Sequence, residues 1–177
     1  EITEAYRLLT EQEVLSGKER DNWRNHICKG AEFLCLRDEL HGFISNHRMG
    51  AACALETTYQ LFGEKRYKER SIWLRDSVLR RSSSNEGWPY EYGGMDPGYQ
   101  TLATYYLANY YRLTADQELF DQLIDPSIKL LQYFVHPDGS IGGEYGSRNC
   151  SLYFPGGIEY LAPLLPEAEA IARAMAE

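Results

Sequence analysis

The sequence predicts an all-α fold made of repeated helical hairpins of about 50 residues, arranged as an α/α toroid or part of one. Three observations point to it. Short motifs recur 52 to 53 residues apart, apolar residues return at helical spacing, and no segment sustains the alternation of a strand. Trp88-Pro89-Tyr90-Glu91-Tyr92 is the one short piece that reads as extended.

The repeat has three anchors. Gly63-Glu64-Lys65-Arg66-Tyr67 aligns with Ala115-Asp116-Gln117-Glu118-Leu119, and Asn85-Glu86-Gly87 with Pro137-Asp138-Gly139, both 52 residues on. Glu91-Tyr92-Gly93 returns as Glu144-Tyr145-Gly146, shifted by one further residue.

Taken in order, residues 3–15 read as a weak first helix, and Trp23, Ile27, Ala31 and Leu34 mark a second. Met49, Cys53, Leu55, Tyr59 and Phe62 place an apolar stripe on a helix over 46–62. Tyr67, Ser71, Leu74 and Val78 fall on one face of its partner. Leu102, Tyr106, Tyr110 and Leu113 predict the next helix, and Leu119, Leu123, Leu130 and Phe134 the one after. Asp125-Pro126 either kinks that last helix or restarts it with Pro at its first position. Gly63 and Thr114-Ala115-Asp116 supply tight turns within the hairpins. Pro155-Gly156-Gly157 opens a short helix that stops near Pro163 and Pro166, and an Ala/Glu-rich helix follows.

No linker interrupts the chain, so residues 1–177 read as one domain. A closed toroid of six such hairpins needs about 300 residues. About three fit here, so the expectation is part of a larger protein, or an incomplete ring completed by another copy.

Composition narrows the function classes. Hydrophobic residues are 44% and charged residues 25%, a globular balance. No apolar run approaches a membrane span and no amino-terminal stretch resembles a signal peptide, so a soluble protein is expected, its compartment open. The net charge of −8 argues against nucleic acid, and less strongly against a strongly anionic ligand. Cys28, Cys35, Cys53 and Cys150 lack metal-ligand spacing and read as small buried hydrophobes. The scattered histidines and carboxylates give no metal set, and no cofactor is implied.

Two long loops hold the candidate chemistry, Glu86–Tyr99 and Asp138–Gly157. Their glycines allow tight turns, and Trp88, Tyr90, Tyr92 and Tyr145 offer flat faces with polar edges. That combination suits stacking on sugar rings while hydroxyls make the hydrogen bonds, and Glu91, Asp96, Glu144, Arg148 and Asn149 in the same loops are candidate binding residues. A purely structural role is also open, with the aromatics filling space and Glu91 and Glu144 capping helices.

Asn46-His47 opens a helix, and Tyr99 lies 52 residues beyond His47, at the matching start of the next like helix. In a stacked array such helices are neighbours roughly 10 Å apart. A histidine and a tyrosine so placed can divide a proton transfer, one as base and one as acid.

Ser45-Asn46-His47, Glu86-Gly87, Glu91 and Tyr99 ahead of an apolar helix resemble the heparinase II/III and alginate-lyase type α/α toroids, over roughly residues 43–113. The resemblance implies a polysaccharide lyase cleaving a uronate-containing glycan by β-elimination. It implies that Asn46 damps the substrate carboxylate and that His47 or Tyr99 takes the adjacent proton. Tyr99 would return a proton to the departing oxygen, and Arg148 would clamp a carboxylate.

Two alternatives stand beside it. Glu91, Asp96 and Glu144 could act as the carboxylate pair of a glycoside hydrolase. The aromatic loops could instead serve a non-catalytic module that binds a glycan or a protein. A weaker likeness to terpenoid cyclases rests on Gln132 and Asp138-Gly139-Ser140, but the Asp-rich cluster of those toroids is missing.

Overall fold

A computed structural model describes residues 2–83, 85–142, 145–146 and 154–176. The described residues are all-α, as expected, and their only β pairing consists of isolated bridges. None of their helices is long and apolar enough to cross a membrane.

Helix α1 spans Ile2–Glu11 and α2 spans Gly17–Leu36. A capping box starts α2: Ser16 Oγ accepts from the Glu19 amide, and Glu19 Oε2 accepts from the Ser16 amide at 2.9 Å. Helix α3, Ser45–Phe62, and α4, Lys65–Arg81, form the first strong hairpin. Helix α5, Pro97–Thr114, begins the next. Its partner runs as α6, Gln117–Leu119, a π-helical turn over Phe120–Ile124, α7, Asp125–Leu131, and a 3₁₀ turn over Gln132–Phe134. Helices α8, Pro155–Leu161, and α9, Pro166–Ala176, form a shorter third pair.

The sequence repeat is a structural one. Gly63 and Ala115 both end their helices in the left-handed conformation, with φ of 77° and 52°, and each donates its amide back one turn at 2.7 Å. Tyr67 and Leu119, one turn into the partner helices, are both fully buried. Gly87 and Gly139 both adopt positive φ, and a Cβ at either would collide with a carbonyl, of Pro126 in α7 or Ala174 in α9. Each loop thus presses its glycine against the outer helix of the following hairpin, where only glycine fits.

Packing explains why these helices stand side by side. Helix α3 packs most extensively on α4 and on α5, and α5 in turn on α8. Met49, Ala52 and Leu55 meet Tyr67, Leu74 and Val78, and the same apolar cluster continues through Leu107, Leu123, Ile128, Ile158 and Ile171. Each such side chain contributes about 1.5–3 kcal/mol by leaving water. Arg75 of α4 binds Asp116, which caps α6, and so ties one hairpin to the next.

Two sequence expectations need refinement. The fully buried stripe of α5 is Ala103, Leu107 and Tyr110 with Thr104 and Ala108, not Leu102, Tyr106 and Leu113, which are half-buried. A helix packed on both α3 and α8 buries a wide face, so apolar spacing alone does not fix its centre. Pro126 is the second residue of α7, close to the restart expected, and the chain enters it without a break. The preceding π-helical turn, closed by the Asp125 amide on Phe120 O, absorbs the missing donor.

Candidate functional site

The loop of residues 85–96 lies across the starts of both α3 and α5. Ser45 donates its amide at 3.2 Å and its hydroxyl at 2.8 Å to the Tyr90 carbonyl. An isolated bridge joins Ile44 to Glu91. The extended piece expected at Trp88–Tyr92 is this short ribbon, which turns back through a second bridge from Glu91 to Gly94. Tyr92 and Gly93 form the tip with φ of 49° and 112°. A tyrosine in that region is strained by roughly 1 kcal/mol or more, a cost that tends to collect at functional sites.

Glu91 is the pivot. Its Oε1 accepts from the Asn46 backbone amide at 2.8 Å and its Oε2 from the Asn46 side-chain amide at 2.9 Å. Both residues are almost fully buried, at 2% and 1% exposed. Ile44, the residue preceding α3, provides no side-chain cap. Glu91 therefore satisfies the helix start from across the fold. Burial pushes its carboxyl up to about 8, against the bonds from Asn46, and the nearby Asp96 adds to the rise. Asn46 Oδ1 is buried without a hydrogen-bond partner among the described residues. A half-turn of that amide would set this oxygen against Glu91, where a protonated carboxyl could donate to it.

Asp96 caps α5 in the ordinary way, its Oδ1 accepting from the Tyr99 amide at 3.1 Å, with Pro97 first in the helix. Gly146 of the second loop lies directly against the Asp96 carboxylate. Glu91 and Asp96 are thus both helix caps, the structural role open to Glu91 in the sequence.

His47 and Tyr99 are each the third residue of their helices, as the repeat requires. Their side chains engage different neighbours. The Tyr99 ring lies 5.0 Å from that of Tyr92, which is 51% exposed. His47, half-exposed, places Nδ1 2.6 Å from Glu39 Oε2 in the connector between α2 and α3. That connector borders a pocket of about 700 Å³ lined by Glu39, His41, His47 and Arg48 among others. A second large cavity, about 620 Å³ beside α1 and α2, is walled mainly by apolar groups such as Trp23, Ile27 and Phe33.

The other aromatic candidates divide. Trp88 is half-buried, its indole donating to Glu86 at 2.8 Å. Tyr90 packs between Phe43 and Trp88, at 5.9 and 6.4 Å. Tyr145 stays exposed beside Phe134, at 6.1 Å. Glu144, Arg148 and Asn149 lie outside the described residues, as does Cys150. Sequence reading missed Glu39, and it missed Arg48 and Arg81, whose guanidinium groups lie 4.5 and 4.9 Å from the Phe43 ring centroid. The only signal for Glu39 was its place in a polar connector just ahead of Asn46-His47. Among the described residues no group of three or more His, Cys, Asp or Glu is placed to hold a metal ion.

The described residues form an all-α hairpin array, and comparison with known families points to a polysaccharide lyase-like protein. A family model described as the ulvan lyase N-terminal domain matches residues 1–157, and the chain belongs to that family. The match supports the lyase class without carrying the narrower heparinase II/III or alginate-lyase assignment suggested by the short motifs. No curated protein and no solved structure matches the chain.

Proposed function

We propose that the protein takes part in β-elimination of a uronate-containing polysaccharide, with ulvan, the glycan in its family's name, as the first candidate. The observation that carries this reading is the equivalent placement of His47 and Tyr99, third in two packed neighbouring helices whose starts share one loop. The family match, covering both helices and that loop, supports it.

In this reading His47 takes the proton from the carbon beside the substrate carboxylate. The electron pair left behind forms a carbon–carbon double bond as the glycosidic C–O bond breaks, and Tyr99 gives its phenolic proton to the departing oxygen. Asn46 stands beside His47, buried and with its side-chain amide given to Glu91, so offsetting charge on the substrate carboxylate would require it to leave that bond as substrate enters. Tyr92 and Tyr145, exposed at the two loops, are the surfaces on which sugar rings would stack. The α/α toroid belongs to the same reading, with the three hairpins as its segment.

The hydrolase reading draws less support, because Glu91 and Asp96 are buried and already accept amide protons. The test is to follow ultraviolet absorbance of unsaturated product and release of reducing ends in parallel, on ulvan and other uronate glycans. Absorbance is expected, and His47→Ala and Tyr99→Phe should each lower its rate by about 10²- to 10⁴-fold with unchanged thermal melting. Reducing ends without absorbance would overturn the elimination, and full activity in both variants would remove these residues from it.

A further inference from the structure

We infer that Glu39 is a positioning residue that fixes the ring and tautomer of His47, an inference resting on the reading of His47 as the proton acceptor. The geometry is that of a carboxylate–imidazole pair. Glu39 Oε2 meets His47 Nδ1 at 2.6 Å, while Glu39 Oε1 accepts from the His41 amide at 3.1 Å. Both carboxylate oxygens are therefore occupied, and the side chain is held at two points.

The neighbouring pair repeats the arrangement one residue along. Asp38 binds Arg48 at 2.9 Å, so two consecutive acidic residues of the connector grip two consecutive basic residues of α3. Arg48 is itself pinned by Ser77 Oγ at 3.3 Å and lies over Phe43. The connector is thereby fastened to the helix start on both sides of the Asp38–Glu39 peptide, which keeps the Glu39 backbone close to His47.

The chemical consequence follows from proton counting. The bond to His47 and that from the His41 amide, with the charge of a protonated His47, hold the Glu39 carboxyl at about 2, so it is ionised and can only accept. Nδ1 must then carry the hydrogen, which leaves Nε2 of a neutral His47 with a bare lone pair. That is the nitrogen able to take a proton. Exposure agrees: the Glu39 side chain is 17% exposed and that of His47 50%, an anchored support behind an open ring.

The experiment reads the tautomer directly. In the wild-type protein, ¹⁵N-resolved imidazole spectra of neutral His47 should show hydrogen on Nδ1 and a bare Nε2. Glu39→Ala should move His47 toward the Nε2–H form and lower kcat by roughly tenfold or more, with KM changed less than about twofold. Glu39→Gln, which retains an acceptor oxygen without charge, should fall between. Thermal melting of each variant controls for folding. An unchanged tautomer in Glu39→Ala would overturn the inference, as would a changed tautomer with unaltered kcat. If the wild-type protein shows no elimination at all, the proposed function fails, and the tautomer spectra alone decide whether Glu39 orients His47.

Discussion

The starts of α3 and α5 occupy the same register of the repeat but are stabilised in opposite ways. Helix α5 is locally complete: Asp96 caps it, Pro97 opens it, and both signals lie within three residues of Tyr99. Helix α3 has no local side-chain cap after Ile44, and its start is completed by Glu91 from 45 residues away. The functional loop is thereby part of the α3 terminus, and whatever moves the loop moves Asn46 and the backbone beneath His47. At α5 the cap is the loop's own last residue, adjacent to the helix it completes. The two halves of the proposed proton relay thus stand on supports of different kinds.

The largest way to separate the two supports is by pH. The folded chain keeps a proton on Glu91 up to about 8, whereas an unfolded chain releases it near the ordinary value of 4.5. The folded state therefore binds more protons between those values, and stability must fall as pH rises through that window. The stabilisation is fully present below 4.5 and lost above about 8. At its steepest the loss is about 1.4 kcal/mol per pH unit. Denaturant unfolding across the window should show a steeper alkaline decline in wild type than in Glu91→Gln, which cannot titrate. Parallel curves would mean that Glu91 is ionised in the fold and that its amide donors outweigh burial.

At fixed pH the contrast is between Glu91→Ala and Asp96→Ala. Removing Glu91 leaves the Asn46 amide and side chain without their acceptor inside the protein, a loss of about 2–4 kcal/mol. Removing Asp96 deletes a helix cap, worth about 1 kcal/mol. Chemical denaturation would give both values. Equal losses would dissolve the distinction between a cap supplied locally and one supplied across the fold.

The same contrast explains what the sequence revealed. The hairpins, the matched turns at Gly63 and Ala115 and the matched glycines at Gly87 and Gly139 were legible because each rests on local chemistry repeated at a fixed spacing. The equivalent placing of His47 and Tyr99 was legible for the same reason. The Glu91–Asn46 and Glu39–His47 bonds were not, since each depends on how a loop folds back over a helix start. Nothing in the chemistry of Glu39 distinguishes it from Asp38 beside it until the connector is seen to bring one onto His47 and the other onto Arg48. The centre of the α5 stripe was misplaced because a helix with neighbours on two sides has no single apolar face.

The smallest expected effect concerns the tip of the loop that joins the two starts. Tyr92 holds a φ of 49°, which glycine adopts freely, so Tyr92→Gly removes about 1 kcal/mol of strain. It also deletes the ring that meets Tyr99 at 5.0 Å, a contact worth about 0.5–1.5 kcal/mol. The two terms nearly cancel, and the melting temperature should scarcely move. In the stacking role proposed for Tyr92, loss of its exposed face has no such offset. KM should therefore rise several-fold while kcat changes little, since Tyr92 takes no part in the proton transfer. A loss of stability with unchanged KM would show that the strained tyrosine serves the packing of Tyr99, and would shift the sugar-stacking role to Trp88 and Tyr145.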